Sequence, residues 1–348
     1  MTITDYTFEE LQNHSFFKNE KPYRIKQIAQ WIYTKGVFDF EKMTNLSKEF
    51  RNKLKENAEI LTIEKTQSVS SKDGTTKFVF KLKDGLFVES VLIPMNEGKI
   101  TFCISSQVGC AMGCRFCKTA TMGFIRNLTP SEIVSQVLLL KTFANLPEKK
   151  KFNIVFMGMG EPLHNTENVL KAIEILTDKN LMDLSPRRIT VSTSGLIEGL
   201  KKLAEFPVKV RLAVSLNASN QKQREKIMPI TKSNPLNKLI EELKKFPLSN
   251  RDRITFEYVL LKDFNDSEED ALRVYDLLNG LKYKINLIPF NPYPGSGFEK
   301  PEEKRVLRFQ KILTDRNVNA IIRKSKGEDI SAACGMLASR KGEKNGRQ

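Results

Sequence analysis

Histidine is nearly absent from this chain of 348 residues: there are two, His14 and His164, and a single tryptophan. Chemistry that needs an imidazole cluster therefore has no material to draw on. Cysteine is sparse as well. Five in a chain of this length do not make the disulfide framework that staples small secreted domains. No run of eighteen apolar residues occurs, so no helix is expected to span a membrane. The opening "MTITDYTFEE" is polar and acidic and lacks the basic-then-apolar order of a secretory signal. The expected location is cytoplasmic. Acidic charge is in short supply: 41 Asp and Glu stand against 57 Lys and Arg, a net +16. Such an excess favours a polyanionic partner, because each phosphate neutralised releases a counterion. A merely solvated basic surface is the plainer alternative.

Residues 1–60 read as helical. In "YRIKQIAQWIYTKG", Ile25, Ile28, Trp31 and Ile32 recur at helical spacing, and Gly36 offers a stop. "LSKEFRNKLKEN" is a basic helix, either a solvated face or a surface for nucleic-acid backbone. Residues 61–98 change texture. Short β-rich runs are separated by Asp73-Gly74 and Asp84-Gly85, which predicts a small three-stranded antiparallel meander acting as a linker. Over residues 99–340, strand-like and helix-like runs alternate, from "KITFCIS" and "TPSEIVSQVLLLKTF" to "YKINLIPFNP" and "PEEKRVLRFQKILTDR". Six βα units with near-continuous apolar strands predict an α/β fold, a partial, open (β/α)6 barrel with its site at the C-terminal ends of the strands. "NAIIRKS" offers one further strand, and the tail 341–348 reads as disordered.

Four of the five cysteines fall in "CISSQVGCAMGCRFCKTA". Cys110, Cys114 and Cys117 are spaced Cys-x3-Cys-x2-Cys, in the loop after the first parallel strand. A closed zinc clip takes four ligands. Histidine is not at hand, and strand residues separate Cys103 from the loop. An iron–sulfur cluster on three thiolates would leave one iron open to a small molecule, and spacing and location favour that reading. "MGMGEP" follows the second parallel strand. There Gly158 and Gly160 let backbone approach a ligand, and Glu161 can accept from an ammonium, although Gly-x-Gly alone marks many tight turns. In "LFVESVLI", Phe87, Glu89, Val91 and Ile93 share one face. A carboxylate in that company is costly unless paired or functional, or unless the strand is an exposed edge. On composition alone Cys103 and Cys334 are small buried hydrophobes.

"CAMGCRFC", with the aromatic Phe116 before its last cysteine, is similar to the cluster loop of radical S-adenosylmethionine enzymes. "CISSQVGC", "GFIRNLTPSEI", "FMGMGEPL", "SPRRITVSTSG", "MPI", "NLIPFNP" and "DISAACG" follow in order. Over about residues 20–340 the chain resembles the RlmN/Cfr family of radical S-adenosylmethionine RNA methyltransferases. The resemblance implies one 4Fe-4S cluster on Cys110, Cys114 and Cys117. It implies two molecules of S-adenosylmethionine per turnover, bound by Gly160, Glu161, Ser192, Ser215, Leu216, Asn217 and Asn291. Relatives often carry histidine where this chain has Asn217.

The same resemblance implies methylation of C2 of an adenine in 23S rRNA at the peptidyl-transferase centre, and in tRNA next to the anticodon. Cys334 would carry the methyl group, Glu89 would take the C2 proton, and Cys103 would close a transient disulfide with Cys334. It further implies an electron donor such as flavodoxin and a helical RNA-binding module over residues 1–60. A monomer with no membrane association is expected. Arg126, Arg187 and Arg188 are candidates for RNA backbone contacts. A Cfr-type enzyme acting on C8 of the same adenine, with antibiotic resistance as its outcome, is the alternative, although "GMGEP" and "LIPFNP" are similar to the C2 branch. A non-catalytic, zinc-stabilised RNA-binding protein is the remaining alternative.

Overall fold

The computed structural model describes residues 1–146 and 151–338; the expected disordered tail, 341–348, lies outside them. Three helices open the chain: α1 (Phe8–Asn13), α2 (Pro22–Ala29) and α3 (Lys48–Asn57). Thr7 and Glu10 close a capping box on α1. α2 widens into a π turn over Gln30–Thr34 and stops at Gly36, whose φ is +67°. Ile25, Ile28 and Ile32 are buried. Trp31 leaves their face, with its indole N–H on Asn45 and Lys35 over its ring. The cations of α3 are largely engaged within the chain: Lys53 pairs with Glu20, Lys55 with Glu41, and Arg51 donates to the Glu41 carbonyl.

β1 (Ile63–Ser70), β2 (Thr76–Leu82) and β3 (Phe87–Pro94) form the antiparallel meander. Its two turns hold Gly74 and Gly85 at φ +83° and +82°, which explains the Asp-Gly pairs. The meander does not stand apart from the barrel. β3 pairs antiparallel with β4 (Ile100–Cys103), so the meander is one flank of the same sheet. A short ribbon then follows, β5 (Gln107–Gly109) with β6 (Phe124–Asn127), framing the cysteine loop. Strands this short leave no readable periodicity.

The chain continues through α4 (Pro130–Phe143), β7 (Asn153–Phe156), α5 (Thr166–Thr177), β8 (Ile189–Thr193) and α6 (Ile197–Glu205). After β9 (Arg211–Ser215) come two helices, α7 (Gln221–Ile227) and α8 (Leu236–Lys245). Then β10 (Ile254–Leu260), α9 (Glu268–Leu277), β11 (Tyr283–Pro289), α10 (Glu303–Thr314) and β12 (Ala320–Ile322) complete the fold.

The main sheet runs β1-β2-β3-β4-β7-β8-β9-β10-β11-β12, parallel from β4 onward, with β1 and β12 as its edges among the described residues. It is therefore the open barrel of six βα units that the alternation predicts, with β12 as a further parallel strand. One face of its strands is sealed from solvent, through Ile154, Phe156, Val191, Leu212, Val214, Phe256, Tyr258 and Leu287, while the opposite face carries Ser192, Ser215, Glu257 and Asn286. The first sixty residues share this core, with Ile3, Leu11, Ile28 and Phe50 joining Val134 and Ile173. Among the described residues no helix is long and apolar enough to cross a membrane.

Candidate active site

The C-terminal ends of β7 to β11 face a cleft enclosing about 960 Å³ of space, its open mouth included. Cys110, Cys114 and Cys117 form one wall. Gly160 and Glu161 after β7, Ser192 at the end of β8, Ser215 and Asn217 at the end of β9 and Asn291 after β11 form the others. Leu216 is the exception. Its side chain is buried away from the cleft, its N–H donates to the Glu257 carbonyl, and its own carbonyl accepts from Arg224. Asn217 sits at φ +57°, a conformation asparagine tolerates better than most residues. Its carboxamide oxygen accepts from the Val259 N–H at 2.8 Å, so its side chain already works within the protein.

Two sequence motifs hold each other in place. "ISSQ", residues 104–107, is knitted to "GMGE", residues 158–161. The Gly158 N–H reaches the Ile104 carbonyl, the Met159 N–H the Ser105 hydroxyl, and the Glu161 N–H the Gln107 carboxamide. This changes the reason for the glycines. A Cβ on Gly158 would lie 2.6 Å from the Ile104 carbonyl oxygen, and one on Gly160 would lie 2.5 Å from the Gln107 side chain. They make room for the neighbouring segment of the protein first, and only thereby shape the cleft. Glu161 accepts from the N–H groups of Leu163 and Ser194, at 3.0 and 2.7 Å, which fixes its carboxylate at the rim.

The cysteine loop is anchored by packing. Phe116 and Cys114 lie against a small second core of Ile227, Met228, Phe290, Tyr293, Ala333 and Met336. This core also fastens the C-terminal turn that carries Cys334. The Lys118 N–H donates to the Gly335 carbonyl at 2.7 Å, and the Thr119 hydroxyl to the Leu337 carbonyl at 2.6 Å. Cys334 is solvent-accessible and lines both the cleft and a second, larger cavity enclosing about 1810 Å³, its open mouth likewise included. Cys103, at the end of β4, lines that second cavity too, as do Lys99, Arg323, Lys324 and Lys326. The structure thus brings together two thiols that are 231 residues apart. Burial raises the Cys103 pKa, and its proximity to Cys334 adds to the rise.

Glu89 lies elsewhere than its expected role suggests. β3 is an interior strand, not an edge, and Glu89 is buried. It lines neither cavity. Its Oε2 accepts from the Ala338 N–H at 3.0 Å, and its Oε1 lies 3.4 Å from Lys77 Nζ. Burial raises its pKa against the opposing pull of Lys77.

Three further residues carry little sequence signal. Arg224, on α7, is fully buried and donates to the carbonyls of Ser194, Ser215 and Leu216, tying the ends of β8 and β9 together. Burial pushes its pKa down to about 10. Glu257, on β10, lies in register with Ser215 and Asn286 and faces the cleft. Asn286 serves its Oε1, while its Oε2 has no hydrogen-bond partner among the described residues. Lys77 is buried in β2. A lone charge in an apolar strand, as in "TFEYVL" and "TKFVF", is the only hint the sequence offers for the last two.

The arginine candidates fare unevenly. Arg126 forks onto Glu132 at 2.8 and 2.9 Å and also binds Asp84, so its guanidinium is spent inside the protein. Arg187 and Arg188 lie in the turn that enters β8, at the end of the sheet opposite the cleft.

The donor set fits an iron–sulfur cluster with S-adenosylmethionine. Three thiols share one wall without a histidine, and Glu257 presents an unsatisfied acceptor to the same space. Burial holds the Cys110 thiol up to about 12, so a cationic cluster is what would stabilise these groups as thiolates. Among the described residues no three of His, Cys, Asp and Glu are disposed to hold a single metal ion.

Comparison with known proteins points the same way. Residues 1–60 match the ribosomal RNA large subunit methyltransferase N-terminal domain, and residues 104–275 the radical SAM superfamily. The dual-specificity RNA methyltransferase RlmN of Nitratiruptor sp. is 49% identical, covering 96% of this chain and 97% of its own. The probable dual-specificity RNA methyltransferase RlmN of Aquifex aeolicus is 47% identical, covering 97% of each. A crystal structure of a radical SAM methyltransferase from Sphaerobacter thermophilus, 40% identical, superposes with a TM-score of 0.92 over 97% of this chain and 99% of that one. The chain therefore belongs to the RlmN family of dual-specificity RNA methyltransferases, radical SAM enzymes built on this open barrel.

Proposed function

We propose that this enzyme methylates C2 of an adenine in 23S rRNA, at the peptidyl-transferase centre, and in tRNA next to the anticodon. The observation that carries this reading is the partition of the five cysteines. Cys110, Cys114 and Cys117 line the cleft, Cys103 lines the basic second cavity, and Cys334 lines both. C2 lies between two ring nitrogens and is too electron-poor to attack an electrophilic methyl group. A carbon-centred radical avoids that obstacle. When bound, the cluster and S-adenosylmethionine supply the methyl group and the radical chemistry.

The residues of the chain divide the remaining work. Cys110, Cys114 and Cys117 hold the cluster, while Gly160, Glu161, Ser192, Ser215, Asn217 and Asn291 shape the cofactor's space. Leu216 contributes through its backbone, by fixing the neighbouring turn. Cys334 accepts the methyl group on sulfur and presents it to the adenine. The base, extruded from its stack, enters by the second cavity, whose Lys99, Arg323, Lys324 and Lys326 suit flanking phosphates. Glu89 takes the C2 proton. The methyl carbon becomes bonded to C2 while still on the Cys334 sulfur; Cys103 then attacks that sulfur and breaks its bond to the carbon, which takes up a proton to become the methyl group, and the resulting disulfide must be reduced before the next cycle. Each turnover uses two molecules of S-adenosylmethionine. A flavodoxin-like donor, a monomeric state and a cytoplasmic location accord with this reading.

Mass spectrometry of nucleosides from 23S rRNA and tRNA tests it. Deleting the gene should remove 2-methyladenosine. The wild-type gene should restore it, and Cys334→Ala should not, although that protein should still carry its iron. Finding only 8-methyladenosine would point to the C8 reaction, and full activity of Cys334→Ala would remove the methyl-cysteine route.

A further inference from the structure

Ser331 and Ala338 bracket Cys334. Both are tied to one buried ion pair. The Glu89 carboxylate accepts from the Ala338 N–H at 3.0 Å and faces Lys77 Nζ at 3.4 Å. Lys77 Nζ in turn donates to the Ser331 carbonyl at 3.4 Å. Lys77 and Glu89 stand diagonally on the paired strands β2 and β3, with side chains only 6% and 4% exposed. Burying an ammonium this deeply is unfavourable unless its charge is balanced, and Glu89 balances it. The turn is also held by the apolar packing of Ala333 and Met336 and by hydrogen bonds from Lys118 and Thr119 to Gly335 and Leu337, none of which involves a charge pair.

We propose that Lys77 is a positioning residue: its ion pair with Glu89 clasps the Cys334 turn at both flanks, and the clasp loosens when Glu89 takes the substrate's proton, freeing Cys334 to meet Cys103. The second half rests on the roles given above to Glu89 and Cys103. Glu89 Oε1, held by the 3.4 Å ion pair with Lys77, is the oxygen that receives this proton, while Oε2 keeps the Ala338 N–H until the charge is lost. One proton moves from carbon to a carboxylate oxygen, no electron is transferred in this step, and the proton leaves to water when the turn redocks. A neutral Glu89 no longer balances Lys77. Lys118 is the other cation that faces the carboxylate. The clasp and the chemistry are thereby coupled: the turn is held while the methyl group is presented and released when the disulfide must form.

Hydrogen–deuterium exchange of the full-length, cluster-loaded protein without RNA tests the clasp. Lys77→Met should speed exchange over residues 331–338 about tenfold, the scale of losing one modest charge interaction, with β7 to β11 unchanged. Lys77→Arg, which keeps the charge, should restore slow exchange. Glu89→Gln should match Lys77→Met, and the double variant should be no looser than either single one. Ala338→Pro removes one N–H and leaves the buried pair intact. It should loosen the same segment, and it keeps the test decisive if Lys77→Met does not fold. Exchange within about twofold of wild type in Ala338→Pro and in every folded variant of the pair would overturn the clasp. The readout needs no RNA, so it stands apart from the methyl-transfer assay. A fully active Glu89→Gln with a loosened turn would refute the base and its trigger while leaving the clasp.

Discussion

Glu257 has a carboxylate oxygen without a hydrogen-bond partner among the described residues, in a side chain only 7% exposed. Burial raises its pKa, and Arg323, 3.9 Å away, offsets this only in part. The folded protein therefore holds a proton on Glu257 to higher pH than the unfolded chain does. For a carboxylate raised in this way, stability is greatest below the ordinary carboxylate range and falls as pH rises toward the folded value. Above it, the native state must carry the buried charge. Glu257→Gln should thus stabilise the metal-free protein by about 1 kcal/mol, the cost of one poorly satisfied buried group, and by more at pH 8 than at pH 5. Thermal unfolding at the two pH values measures this. An equal or opposite shift would mean that the charge is satisfied after all. Cys103, Cys334 and Asn217 share the lesson: each is a single letter whose setting lies many residues away. Cys334 could be assigned from the sequence only by resemblance, because no local pattern distinguishes a reactive cysteine from a packed one.

At the scale of elements, legibility follows length. α4 announces itself through Thr129, Pro130 and Glu132, and the structure closes that capping box with Glu132 Oε2 on the Thr129 N–H. The six parallel strands are equally plain, since one sealed face supplies an apolar residue at every second position, although the opposite face carries Ser192, Glu257 and Asn286. Three- and four-residue strands such as β5 and β6 leave no period to detect, and α7 is hidden in a polar run. The "GMGE" turn shows a subtler limit. Its glycines were readable as close approach, but what approaches is the 104–107 segment of the same chain. This leads to a prediction about the metal-free protein. Gly158→Ala places a methyl group against the Ile104 backbone, which cannot swing aside as a side chain would. The strain of overpacking should cost about 1–3 kcal/mol and lower the unfolding midpoint by several degrees without any ligand present. Were the glycine needed only for the cofactor, apo stability would not change and only S-adenosylmethionine binding would suffer.

At the scale of the whole molecule, the question is what the first sixty residues do. They hold ten lysines and arginines against nine aspartates and glutamates, a net +1, so the charge excess of the chain resides in the rest. The packing of this N-terminal module suggests a task. α4 is buried along Ser131–Leu140, one side against the sheet and the other beneath the N-terminal module. Asp5 receives the Ser131 N–H at 2.8 Å, Asp178 receives the Phe8 N–H at 3.1 Å, and Lys141 donates to the carbonyls of Tyr33 and Thr34. Removing residues 1–60 would open the outer face of α4, with its run of valines and leucines, to water. At about 25 cal/mol per Å² of apolar surface, a few hundred Å² exposed amounts to several kcal/mol, comparable to the whole stability of a typical domain. A chain of residues 61–348 should therefore aggregate on expression, and the intact protein should unfold in one transition with both parts melting together. Size-exclusion chromatography of the truncated chain and calorimetry of the intact one check the two halves of this argument. A monomeric truncated chain that still binds its cluster would show that the module is an accessory that merely rests on the barrel.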